Sequence, residues 1–161
     1  MLDPDDDTLL DALYDHCDAV TTEQHLFEEP VASLSLADPI CVTPDDTVRV
    51  AVQTMVRAHI GAVPVVDDGR LIGIFTERDV LHRVTLQGVC IDTTPVRAVM
   101  TSDPVCIEPQ TNRVTALREM IRHGFRHLCV VDEGRIVGIF SMRELVGFVQ
   151  DLFPTELSAE D

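Results

Sequence analysis

Two seven-residue segments carry the side chains best suited to chemistry: Gly73, Ile74, Phe75, Thr76, Glu77, Arg78 and Asp79, and, 65 positions later, Gly138, Ile139, Phe140, Ser141, Met142, Arg143 and Glu144. In the first, Thr76 offers a hydroxyl, Arg78 a guanidinium fork matched to phosphate oxygens, and Asp79 a carboxylate able to accept both hydrogen bonds of a ribose diol. An apolar strand entering a helix at this point would also aim free backbone N–H groups at an anion. The same residues admit a plainer role. Thr-x-x-Asp is close to a capping box, in which hydroxyl and carboxylate satisfy the first helical N–H groups with no ligand present. Ser141 and Glu144 fit that box better, because Glu curls back onto the cap, and its additional methylene moves the carboxylate about 1.5 Å from where Asp would hold it. Two unequal sites are expected, the stronger built around Asp79.

These segments belong to a longer repetition. Residues 31 to 80 recur without a gap 65 positions later, so that Val31, Asp38, Pro39, Met55, Val65, Asp67, Gly69 and Phe75 return as Val96, Asp103, Pro104, Met120, Val130, Asp132, Gly134 and Phe140. The period is too long and the copies too few for a solenoid, which leaves two half-units related by a pseudo-twofold axis, with two related clefts. In the first copy, Ile40 to Val42 reads as a short strand. Pro44 to Thr47 then starts a helix with Val48, Val52, Met55 and Val56 on one face. Val63 to Val66 and Leu71 to Phe75 read as strands joined by a tight turn, and Thr76 caps a second helix to about Leu86. The second copy repeats this with a strand from Val105 to Ile107, a helix through Val114, Leu117, Met120 and Ile121, a hairpin from His127 to Phe140, and a helix from Ser141 to about Leu152. Each half is β-α-β-β-α, and the fold class is α+β of α/β type. The divisions are an acidic arm over 1–30, the first repeat over 31–87, a linker over 88–95, the second repeat over 96–152, and an acidic tail over 153–161. Within the arm, Asp7 to Val20 has the spacing of an amphipathic helix, and Ser158 to Asp161 has the composition of a frayed end.

Charge excludes one class of partner. The net charge of −16 is concentrated at the ends: residues 1–30 hold ten acids and 151–161 hold four, with no Arg in either, whereas residues 31–150 hold fourteen acids against twelve Arg. A nearly neutral core between two acidic ends is a poor partner for nucleic acid. No apolar run approaches a membrane span, and no secretory signal is visible, which makes cytoplasm the expected location. Cys17, Cys41, Cys90, Cys106 and Cys129 form no C-x-x-C pair and read as reduced core residues. His16, Cys17 and His25 lack metal-ligand spacing, as do His123 and His127, so no metal is expected. A nucleophile elbow, a phosphate-binding Walker loop and paired acids are all missing, so no catalysis is expected.

The second copy differs at positions that bear on a cleft. Cys129 replaces Pro64, while Arg126 and His127 replace Gly61 and Ala62. With Arg113, Arg118, Arg122, His123 and Arg143 they make the most cationic stretch of the chain. Arg126, His127 and Arg143 are candidates to hold a phosphate tail, and Arg113 and Arg118 read better as a solvated helix face.

The ordered set of Asp-Pro, a Pro-initiated helix ending near Met, the strand Val63-Pro64-Val65-Val66-Asp67, a Gly turn and Gly73-Ile74-Phe75-Thr76-x-x-Asp79 resembles the CBS domain, named after cystathionine β-synthase. Both copies match, over roughly 120 of the 161 residues. The resemblance implies a regulatory, adenine-nucleotide-sensing pair that takes AMP, ADP, ATP or S-adenosylmethionine between its repeats and associates as a homodimer. It also implies that the apolar segment of Ile60, Ala62, Val63 and Pro64 supplies contacts to the base, beside Thr76, Arg78 and Asp79, with Arg126, His127, Ser141, Arg143 and Glu144 as the corresponding candidates of the second copy. With no output domain in these residues, the effector that reads the ligand is expected to be a separate protein. The alternative is a structural dimerisation module with no physiological ligand.

Overall fold

The computed structural model describes residues 28–34 and 36–152, with side chains to residue 147. The expected helix over 7–20 and the tail over 158–161 lie outside the described residues. The first half opens with α1 (Val48–Ala58), whose cap Thr47 accepts a hydrogen bond from the Val50 N–H at 3.4 Å. Val48, Ala51 and Met55 form its buried stripe, and the helix ends at His59 in the left-handed region, φ 54°. A hairpin follows from β1 (Ala62–Asp67) and β2 (Arg70–Thr76). Its two-residue turn, Asp68 and Gly69, has φ of 46° and 77°, the double positive φ of a type I′ turn, whose twist suits adjoining strands. Then come α2 (Glu77–Asp79), continued by a π-helical segment over Val80–Thr85, and β3 (Thr101–Ser102).

The second half contains β4 (Cys106–Ile107), α3 (Arg113–His123), β5 (His127–Asp132), β6 (Arg135–Ser141) and α4 (Met142–Leu152). Asn112 caps α3 by accepting from Thr115 N–H at 2.7 Å, and Gly124 closes it with φ 64°. Two three-stranded sheets result, in the orders β1-β2-β3 and β4-β5-β6. The expected strand Ile40 to Val42 reduces to one bridge, Val42 to Val65, whereas its counterpart β4 pairs with β5 over two residues. The helix expected from Thr76 to Leu86 occupies its predicted span but widens after Asp79, where Leu86 N–H reaches back five residues to Leu81 C=O at 3.2 Å.

Phe75, Val63 and Val65 centre one core with α1, and Phe140, Leu128 and Val130 centre the other with α3. Between them, Ala62 and Ile74 meet Cys129, which joins the two sheets back to back. Cys129 alone among the described cysteines is buried; Cys41, Cys90 and Cys106 are exposed, which corrects the expectation of core thiols. The pleat explains two of them, because Val42 and Ile107 take the inward positions and leave their neighbours Cys41 and Cys106 pointing outward. Burial pushes the Cys129 thiol up to about 12, so it stays protonated.

The opening segment of each repeat packs on the other repeat. Val31, in a 3₁₀ turn over Val31–Ser33, is fully buried in the second core, its N–H bonded to Thr111 C=O at 2.8 Å. Val96, in the turn Val96–Ala98, is fully buried in the first core, its N–H bonded to Asp46 C=O at 2.8 Å. Leu36 sits against Gly138 and Met100 against Gly73, each filling the space that a Cβ would need. Arg113, expected on a solvated face, is instead 3% exposed and donates to Glu29 Oε2 at 2.9 Å and Ser33 Oγ at 2.6 Å, pinning the first crossed segment. Arg118 is exposed, as expected. Glu29→Ala weakens the compensation of a buried cation, and we expect it to lower unfolding free energy by about 1–3 kcal/mol in urea titration. Because Arg97 and Asp45 are both exposed, Asp45→Ala at the pseudo-equivalent crossing should cost under about 1 kcal/mol.

Candidate functional site

Crossing of the two halves creates two clefts along their seam, each built from both repeats. The first has a volume of about 440 Å³ and joins Thr76, Arg78 and Asp79 to Thr101, Val105 and Phe125 of the other repeat. The second, of about 1070 Å³, joins Ser141, Arg143 and Glu144 to Ile40, Ile60 and Ala62. Both volumes suit a small organic ligand.

This arrangement corrects the expected grouping of base contacts. Ile60 and Ala62 line the Glu144 cleft and not the Asp79 cleft. Val63 and Pro64 line neither cleft. The Val63 side chain is buried in the first core, and Pro64 is likewise fully buried.

Asp79 is 7% exposed, and its two oxygens divide the work. Oδ2 accepts from Thr76 N–H at 2.9 Å and from Thr76 O–H at 2.7 Å, while Asp79 N–H returns to Thr76 Oγ1 at 3.3 Å. The capping box is therefore fully formed. Oδ1 faces the cleft, with Arg83 Nε at 3.4 Å and Thr101 Oγ1 at 3.5 Å, both long contacts that a ligand hydroxyl can improve on. The cap thus uses one oxygen of the carboxylate and leaves the other toward the cleft. In the other motif, Glu144 Oε2 accepts from Ser141 N–H at 2.8 Å and from the Ser141 hydroxyl. The longer side chain has folded back to the position Asp79 reaches directly.

Backbone N–H groups expected to meet an anion are largely occupied. Glu77 N–H donates to Gly61 C=O at 3.0 Å, and Met142 N–H to Arg126 C=O at 3.1 Å. Anion binding therefore falls to side chains. Arg78, Arg83, His82 and Arg126 line the Asp79 cleft, and Arg126 with Arg143 lines the other. Arg83 reaches the carbonyls of Val99 and Met100 and so ties α2's continuation to the second repeat. Arg143 Nη1 donates to His59 C=O at 3.2 Å across the seam.

Several residues of the Asp79 cleft escaped sequence reasoning, among them Thr101, Phe125, His82 and Arg83. Phe125 had a usable signal, because it stands where the first copy has Ile60 and brings the sole aromatic of the two positions. In the structure it stacks on His123 with centroids 5.2 Å apart and planes at 13°, leaving its other side toward the cleft. Among the described residues, no group of three or more His, Cys, Asp or Glu is placed to hold a metal.

His127 stands between the clefts, beside Gly61, whose missing Cβ would lie 3.1 Å from its ring and 3.1 Å from Glu77 Oε2. Burial first, then the Arg126 charge, and to a lesser degree Arg143, hold its pKa below the ordinary 6.5; Glu144 and Glu77 pull the other way. A folded pKa below the unfolded value means that the unfolded chain takes up the proton more readily. The stabilising contribution is complete above pH 6.5 and declines as pH falls from there through the lower folded pKa. Thermal melts between pH 7.5 and 5 should show this loss, and His127→Ala, the residue of the first copy, should flatten it.

A doubled β-α-β-β-α unit with two seam clefts defines a tandem paired-repeat fold, and comparison with known proteins gives the family. The CBS domain family model matches residues 31–85 and 96–151. The chain is 36% identical over 104 residues to the CBS domain-containing protein YhcV of Bacillus subtilis, covering 65% of this chain and 74% of that one. Further relatives are matched over only 21% of their length. Among solved structures, a conserved protein of Pyrococcus horikoshii aligns with TM-score 0.72 and 28% identity, over 77% of this chain and 94% of that one. CBSX2 in complex with AMP aligns with TM-score 0.66 and 26% identity, over 77% and 98%. The chain belongs to the CBS-domain family and carries two CBS domains. No helix among the described residues is long and apolar enough to cross a membrane.

Proposed function

We propose that this chain is a regulatory CBS pair that binds an adenine nucleotide in the Asp79 cleft and, without chemistry of its own, conveys that occupancy to a separate effector protein in the cytoplasm. The observation that carries the reading is the content of that one cleft: Asp79 Oδ1 for the ribose diol, Phe125 for the base, and Arg78 with Arg126 for phosphate. AMP in the related CBSX2 complex supports the adenosyl class. ADP, ATP and S-adenosylmethionine remain within that class, with the cationic sulfonium disfavoured by the arginines. Signalling requires that the ligand prefer one arrangement of the repeats, or of a homodimer formed by this chain, since a ligand shifts an equilibrium only by its differential affinity.

A second reading rests on the completed capping box, which explains Thr76 and Asp79 without any ligand and suits a structural dimerisation module. A thermal-shift panel of AMP, ADP, ATP, NAD and S-adenosylmethionine separates the two. A ligand present at 100 times its Kd adds about 2.7 kcal/mol to stability. We expect AMP, ADP or ATP to raise Tm, and no rise with any compound would favour the structural module.

A further inference from the structure

Four residues, Gly61, Glu77, Arg126 and His127, line both clefts. Arg126 is the cation among them that stays charged at every working pH, and it is exposed, with a guanidinium that makes no hydrogen bond or ion pair among the described residues. Its backbone is fixed, because its C=O receives Met142 N–H at 3.1 Å at the head of α4. One tethered, uncommitted guanidinium thus faces two cavities. The first copy has Gly61 at the equivalent position, so the pseudo-twofold axis supplies no second cation to match it.

We propose that the two clefts compete for Arg126, so that a phosphate-bearing nucleotide in one lowers the affinity of the other for a second. This rests on the nucleotide-binding reading above and adds a coupling that the reading alone does not contain. A guanidinium can fork onto one phosphate group at a time. The first ligand to bind takes it, and the second finds a cleft without it, with Arg143 in the Glu144 cleft or with Arg78, His82 and the carbonyl-engaged Arg83 in the Asp79 cleft. Asymmetry between the clefts would give unequal affinities without coupling, so the diagnostic is how one cleft responds when the other is disabled. Adenosine, which lacks phosphate, should show no such competition.

The test is calorimetric titration of the full chain with AMP and, in parallel, adenosine. In wild type, AMP should bind in two events, the second at least tenfold weaker. Disabling the Asp79 cleft by Asp79→Ala should leave one event, at the Glu144 cleft, about tenfold tighter than the wild-type second event. Adding Arg126→Gly should erase that gain. Thr101→Trp, which fills the Asp79 cleft from β3 while leaving the cap intact, replaces Asp79→Ala if that variant does not fold. Adenosine affinities at the Glu144 cleft should be equal in wild type and either variant. If the Glu144 cleft binds AMP with the same Kd whether or not the Asp79 cleft is disabled, the competition is refuted while the nucleotide-binding reading stands. If wild type binds no AMP at all, both fall.

Discussion

Asp79→Ala is expected to remove most of the nucleotide-induced rise in Tm, leaving only the part contributed by the Glu144 cleft, while lowering the ligand-free stability only modestly. The two effects come from different oxygens. Losing Oδ2 removes half of the capping box, which costs about 0.5–2 kcal/mol. Losing Oδ1 removes the acceptor that faces the cleft beside Thr101 and Arg83. A ribose diol would then lose that acceptor, and hydrogen bonds to a charged acceptor are worth about 1.5–3 kcal/mol. The melt without ligand reports the first loss, and the increment on adding ligand reports the second. Glu144→Ala should repeat the first effect but leave the increment from the Asp79 cleft largely unchanged. Equal loss of the increment in both variants would refute the assignment of the stronger site to Asp79.

The second large effect is expected from a residue 46 positions away from Asp79 in the chain. Phe125→Ala should weaken nucleotide binding in the Asp79 cleft by about 1–3 kcal/mol, the range for removing a base–aromatic stack, or roughly fivefold to 150-fold in Kd. Ile60→Ala, at the same position of the first repeat, should leave that cleft unchanged, because Ile60 lines the other. The contrast tests the crossed construction of the clefts. A site built within one repeat predicts the reverse ranking, with Ile60 sensitive and Phe125 silent. Phe125 is at the surface and its ring packs chiefly on His123, so its removal should cost little stability, and binding rather than folding is what the variant reports.

Repetition and local patterning made most of the fold legible. Turn residues Asp68-Gly69 and Glu133-Gly134, caps Thr47 and Asn112, and the apolar stripes of α1 and α3 act over a few residues, so their consequences can be read from spacing. The capping role of Thr76 and Asp79 was legible for the same reason, although the sequence posed cap and ligand site as rivals where one carboxylate oxygen forms the cap and the other is left toward the cleft. What escaped was set by long-range packing. Nothing local tells that Val31 inserts beside α3, or that Arg113 turns inward to meet Glu29 across 84 positions. The crossing also decided which apolar segment faces Asp79, and it moved Ile60 and Ala62 to the other cleft. Val63 and Pro64 were misplaced because an apolar strand at a sheet-to-sheet contact is covered on both faces, a condition invisible in a single alternating pattern. Arg83, in the π-helical segment after Asp79, likewise reaches Val99 and Met100, partners that only the assembled fold supplies.

The most direct test of the central claim is a backbone amide chemical-shift map of the full chain titrated with AMP. A nucleotide held in the Asp79 cleft should shift Thr76, Arg78 and Asp79 of the first repeat together with Thr101, Phe125 and Arg126 of the second, all saturating with one Kd. Shifts confined to one repeat, or no shift at millimolar AMP, would contradict it.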